Sequence, residues 1–229
     1  MPRGRFVTFE GVEGTGKTTQ LGLLADYLSR RGVATVATRE PGGTPLGERL
    51  RGLLLDPAGD PVALAELLML EAARAQLVAR VVEPALAAGR WVLSDRFADS
   101  SLAYQGGARR LAPATVRRLN ALACGDTVPD RTIVLELSVD VALARARRRP
   151  TTTASNRRFE DETMVFHRAV ARAYRNLARR EPSRVRLIDG SGTPAQVHER
   201  VVAGVADLLP RRLRPRQTGR RAGIRGARR

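Results

Sequence analysis

Lysine is almost absent from this chain. Of forty basic residues thirty-nine are arginine, and the one lysine is Lys17. Whatever bias favours arginine elsewhere stops there, where a compact ammonium on a flexible stem has no equivalent in a planar guanidinium. Cysteine also occurs once, as Cys124, which excludes an intramolecular disulfide framework and a cysteine-held metal cluster. A small buried apolar residue is its ordinary role. No run of eighteen apolar residues occurs, so no helical membrane span is predicted. The first residues, Met-Pro-Arg-Gly-Arg, lead into a strand without the apolar run of a signal peptide. These absences predict a cytoplasmic protein.

What is present fits one α/β domain: 229 residues, an ordinary apolar fraction and no internal repeat. The net charge of +17 divides unevenly, because residues 211–229 hold nine arginines and no acid, leaving +8 for residues 1–210. Such a tail either neutralises nucleic-acid phosphates or is an appendage that builds no core. The excess on the body predicts a basic cleft that draws anionic substrates.

Hydrophobic spacing predicts strands at Arg5–Glu10, Val33–Thr38, Trp91–Ser94, Thr132–Leu137 and Arg184–Ile188. Between them fall helices at Lys17–Arg31, Leu46–Leu55, Pro61–Ala88, Pro113–Ala123, Val139–Arg149, Glu160–Arg180 and Pro194–Leu209. Asp60 is the expected N-cap of the longest helix, with Pro61 at its first position and a kink near Pro84. Strand–helix alternation of this kind predicts a parallel sheet, with ligands beyond the carboxyl ends of its strands.

At the first of those ends stands Gly11-Val12-Glu13-Gly14-Thr15-Gly16-Lys17-Thr18, followed by Thr19. It completes the phosphate-loop pattern G-x-x-x-x-G-K-[ST] in its required context, strand before and helix after. Glycines let the backbone approach phosphates, and the N–H groups at the helix start bind them. Lys17 is expected at the β- and γ-phosphates, and the Thr18 hydroxyl on Mg²⁺. ATP use follows, although many nucleotide-binding proteins share this much.

Further segments carry a narrower resemblance. Phe9–Gln20, Arg39-Glu-Pro-Gly-Gly-Thr44, Leu50–Leu55, Ala72-Ala-Arg-Ala-Gln76, Asp95-Arg-Phe97 and Asp99–Gly106 resemble, in order and spacing, the bacterial thymidylate kinases. The resemblance implies a P-loop three-layer α/β sandwich with a central five-stranded parallel sheet, a homodimer, and the reaction ATP + dTMP → ADP + dTDP with Mg²⁺. It implies that Arg51 and Arg96 grip the acceptor phosphate and that Asp95 stands near the metal. Glu13 and Glu40 match carboxylates near the acceptor's sugar and phosphate, while Arg74, Ser101 and Gln105 match contacts to thymine. Tyr104 either packs or lines the site, and Asp189-Gly-Ser191 matches the loop bordering adenine. His167 and His198 show no partner in the sequence and read as structural.

Two departures stand out. Leu70 occupies the place of the usual thymine-stacking phenylalanine. The lid expected at about 146–158 has Arg157 where relatives carry aspartate, with Arg149 and Arg158 the candidate catalytic arginines. A kinase of another deoxynucleotide or deoxynucleoside, and a nucleotide- or nucleic-acid-binding protein reliant on its basic tail, remain alternatives.

Overall fold

The computed structural model describes residues 2–148 and 158–210. The apolar runs form five strands: β1 (Phe6–Glu10), β2 (Thr35–Arg39), β3 (Trp91–Asp95), β4 (Arg131–Glu136) and β5 (Val185–Asp189). They pair in parallel throughout, in the order β2-β3-β1-β4-β5. β1 is buried along its whole length, so its sequence runs apolar without a solvent face. Its one internal hydroxyl, Thr8, is satisfied by Thr132 on β4 at 3.0 Å.

Helices cover both faces. On one, Val7 and Phe9 of β1 pack with Leu24 and Leu28 of α1 (Lys17–Ser29) and Val201 of α9 (Pro194–Val205). On the other, Phe6 meets Leu77, the last residue of α3 (Ala63–Leu77), with Leu86 of α4 (Glu83–Ala87) and Phe97. The swing of neighbouring side chains to opposite layers follows from the two-residue period of a strand.

The predicted helix over 61–88 resolves into α3, one wider π-type turn at Val78–Val82, and α4. Pro84 supplies no N–H, so the chain cannot keep an α ladder through this point. The start also differs from expectation. Asp60 takes a left-handed conformation, φ 30°, and Val62 precedes the first turn without a side-chain cap.

Between α2 (Pro45–Leu55) and α6 (Pro113–Cys124) stand two elements that hydrophobic spacing does not predict, the short α5 (Ala98–Ser101) and a second π-type stretch, Leu102–Ala108. Gly107 is required there, since a Cβ would lie 2.8 Å from that of Ala173 on α8 (Met164–Arg180). α7 (Val139–Arg147) follows β4. α8 starts at Met164 rather than Glu160 because Thr163 caps it, its hydroxyl accepting the Phe166 N–H at 3.2 Å. α9 stops at Val205 rather than Leu209. Among the described residues, no helix is long and apolar enough to cross a membrane.

Candidate active site

The carboxyl ends of β1, β2 and β3 open onto one cavity of about 650 Å³. That volume suits a small-molecule ligand. Its basic lining is Lys17, Arg39, Arg51 and Arg96, and its acids include Glu13, Glu40, Glu48, Asp95 and Glu160.

The phosphate loop leaves β1 with positive φ at Gly11, Gly14 and Gly16. At Gly14 no side chain fits, because a Cβ would stand 1.8 Å from the Ala142 carbonyl oxygen of α7. Thr15 closes the loop by donating to the Val12 carbonyl at 2.9 Å. Lys17 Nζ donates to the Gly11 and Val12 carbonyls at 3.1 and 3.0 Å. Burial and the nearby Arg96 pull its pKa down to about 8, against the pull of Asp95, Glu13 and Glu10. Thr18 donates to Asp95 Oδ2 at 2.6 Å, while Thr19 is exposed on α1.

Arg96 follows β3 in a left-handed conformation, φ 76°, rare for a branched or long side chain. Ser94 Oγ donates to its carbonyl at 2.7 Å, and its own N–H donates to Phe9 at 2.9 Å. Its guanidinium donates to Glu13 Oε1, the Tyr104 hydroxyl, the Gly11 carbonyl and Ser100 at 2.7, 3.0, 3.2 and 3.3 Å. Burial opposes ionisation of Glu13, yet Arg96 and Lys17 hold its carboxyl down at about 2. Arg51 lines the same cavity and donates to the Pro41 carbonyl at 3.0 Å. Burial and the like charge of Arg39 depress it.

Leu70, Tyr104 and Gln105 also border the cavity, and Tyr104 both packs and lines. Its ring meets Phe159, Phe166 and Tyr174 edge-on, while its hydroxyl donates to Glu13 at 2.7 Å. Arg74 and Ser101 are not among the lining residues. Arg74 is fully buried, paired with Glu40 at 2.8 Å and Glu71 at 2.5 Å, and donates to Asn120 and Ser101. It ties α3 to α5 and α6 and holds Glu40 at the cavity edge. Asp189 and Ser191 form a closed turn outside the cavity, with the Ser191 N–H on Asp189 Oδ1 at 2.9 Å. Their neighbour Gly190 packs against the backbone at Thr15, which sets this loop beside the phosphate loop.

Arg158 is not among the lining residues; it donates to the Leu54 carbonyl and pairs with the fully buried Glu66 at 2.8 Å. Arg149, and most of the expected lid, lie outside the described residues.

Several residues escaped the sequence reading. Glu10 accepts from Phe97 N–H, Ser100 and Tyr174, and burial raises its pKa. An acid ending an apolar strand was the available signal. His167, read as structural, is indeed fully buried, and what the sequence could not show is its neighbour, Glu13 Oε2, 3.4 Å from Nδ1. Its spacing on α8 resembles that of any core position, so no local signal marked it.

Known proteins resemble this chain in sequence and fold. The sequence model of one family, described as thymidylate kinase, matches residues 9–201. The thymidylate kinase of Pelobacter propionicus is 48% identical over 205 residues, covering 88% of this chain and 94% of its own. That of Synechococcus sp. (strain JA-3-3Ab) is 50% identical over 205 residues, covering 89% and 96%. The crystal structure of thymidylate kinase from Ehrlichia chaffeensis superposes with a TM-score of 0.71 at 34% identity, covering 88% of this chain and 98% of that one.

Proposed function

The chain belongs to the thymidylate kinase family, and from that premise we propose how its residues carry out the phosphorylation of dTMP to dTDP by ATP. A phosphate oxygen of dTMP attacks the γ-phosphorus as the bond from that phosphorus to the oxygen of departing ADP breaks. Such a reaction needs positioning and charge neutralisation more than covalent help from the protein. The phosphate loop, residues 11–19, holds the ATP phosphates, with Lys17 at the β- and γ-oxygens. The Asp189–Ser191 turn borders the nucleotide beyond Thr15. Arg51 and Arg96 hold the acceptor phosphate, and Glu13 keeps the Arg96 guanidinium turned into the site.

The carrying observation is that one cavity collects Lys17 and Thr18 from the start of α1, Arg51 from the body of α2, and Asp95 and Arg96 from the end of β3. Thr18 Oγ1 and Asp95 Oδ2 stand 2.6 Å apart beside the loop, a pair of hard oxygen donors that suits Mg²⁺. When bound, the ion neutralises phosphate charge. Leu70, Tyr104 and Gln105 border the base, with Arg74 and Ser101 bracing that wall from behind; Glu40 sits where the sugar enters.

Coupled ADP release over dTMP, thymidine, dUMP and dCMP tests the assignment. The expected result is turnover with dTMP well above the others, and activity confined to thymidine would refute it. The Leu70→Phe variant should lower the KM for dTMP by restoring a stacking face; an unchanged KM removes that role for Leu70. The chain pairs as a homodimer, supported by the exposed Leu53 of α2 and the exposed Leu64 and Leu68, one turn apart on α3. Light scattering should give twice the monomer mass, and Leu64→Glu should shift it toward the monomer. A cytoplasmic location accords with the family.

A further inference from the structure

Gln105 borders the base end of the cavity with only 1% of its surface exposed. Its Nε2 donates to Glu66 Oε1 at 2.7 Å, and its Oε1 has no partner among the described residues. The Glu66 side chain, from the first turn of α3, is fully buried. The same carboxylate accepts from Arg109 through Nε at 3.3 Å and Nη2 at 3.2 Å, and pairs with Arg158 Nη2 at 2.8 Å. Arg109 Nε thus shares Oε1 with Gln105, while Arg109 Nη2 and Arg158 Nη2 hold Oε2.

An ionised carboxylate only accepts hydrogen bonds. The end of the Gln105 amide that meets it must therefore be the NH₂. Turning the amide over would set two acceptor oxygens 2.7 Å apart, at the distance now bridged by a hydrogen. The carbonyl is thereby fixed as the end left for a ligand, and a buried carbonyl gains most from a donor.

We propose that Glu66 is a specificity-determining positioning residue: it locks Gln105 as a hydrogen-bond acceptor, so that the site reads a ring N–H on the incoming base. Thymine has a single donor on its pairing edge, N3–H between two carbonyls. Cytosine in the same pose sets a lone pair there. The inference rests on the thymidylate reading above and extends it to a residue that touches no substrate. It also accounts for a carboxylate buried at this place, with two arginines to offset its charge. An apolar residue leaves the amide free to flip.

The test is the ratio of kcat/KM for dTMP to that for dCMP, measured on one preparation. This ratio does not depend on the active fraction, so a partly folded variant still reports. In Glu66→Gln the new amide accepts either orientation of Gln105, and the ratio should fall about tenfold or more, with the larger part in KM. Glu66→Asp keeps the charge for Arg109 and Arg158 but withdraws from Gln105, and should lower the ratio in the same direction. A role limited to stability would lower the melting temperature and leave the ratio unchanged in both variants, which overturns the proposal. A wild-type enzyme with no preference for dTMP over dCMP overturns the substrate reading and this proposal together. Wild-type preference retained in both variants overturns the proposal alone.

Discussion

Replacing Lys17 by arginine should disable the enzyme although charge is conserved. Lys17 is 8% exposed, and its ammonium sits 3.0 and 3.1 Å from two loop carbonyls, where one nitrogen with three hydrogens serves both and retains a third toward the phosphates. A guanidinium is planar, spreads its donors over three nitrogens, and would be pushed toward Arg96, already the strongest like charge on Lys17. Removing the charge outright in Lys17→Met forfeits an attraction of about 4 kcal/mol, taking one unit charge at roughly 4 Å and an effective dielectric of about 20. At about 1.4 kcal/mol per decade this is on the order of a thousandfold in kcat. Lys17→Arg keeps the charge but displaces it, and a displacement of about 1 Å costs on the order of a hundredfold. Coupled ADP release at saturating ATP and dTMP measures both, with a melting curve to confirm the fold. If Lys17→Arg keeps more than about a tenth of wild-type kcat, the argument from the shape of the ammonium site is wrong.

Because the free enzyme holds Lys17 near 8, ATP should raise its pKa and take up a proton between about pH 8 and the ordinary lysine range. Apparent ATP affinity then falls as pH climbs through that window; calorimetry at pH 9 in two buffers of different ionisation enthalpy would refute this by finding no proton uptake. Thr18→Val removes one of the two hard oxygens and should raise the Mg²⁺ concentration at half-maximal rate on the order of tenfold; an unchanged magnesium curve places the ion elsewhere. Tyr174→Phe deletes a buried hydroxyl that donates to Glu10 at 2.6 Å, which should cost about 1–3 kcal/mol in urea unfolding. An unchanged urea midpoint would mean that Ser100 and Phe97 satisfy Glu10 alone.

The parts of the site legible in the sequence are those whose chemistry is local. Gly11, Gly14, Gly16 and Lys17 announce themselves because backbone conformation and phosphate contact demand those residue types at that spacing. Asp95 and Arg96 were legible because an apolar strand ended on them. Glu66 and Tyr174 were not, since each lies on a helix where a polar residue reads as a solvent face, and His167, read as structural, carried no sign of its neighbour. Their meaning comes from Gln105, Glu10 and Glu13, which lie 39, 164 and 154 positions away in the chain. The same holds for Arg74, matched through the resemblance to a base contact and found braced between two acids. The parallel sheet followed from alternation of apolar runs, whereas the order of its strands is visible only in the structure. The π-type turns did not, because Leu102–Ala108 has no hydrophobic period and two adjacent glycines argue against any helix.

That second π-type stretch has a consequence for how this protein can change over time. Tyr104 and Gln105 reach the cavity from a segment wound more loosely than its neighbours, with Gly107 pressed on α8. Losing one residue there would let the chain relax to ordinary α winding, and each residue of phase is about 100° around the axis. Every side chain beyond the deletion would then face a different neighbour. Substitution on the outer side is cheap in such a segment, whereas insertion and deletion are not, so lineages should drift in composition there while holding its length fixed.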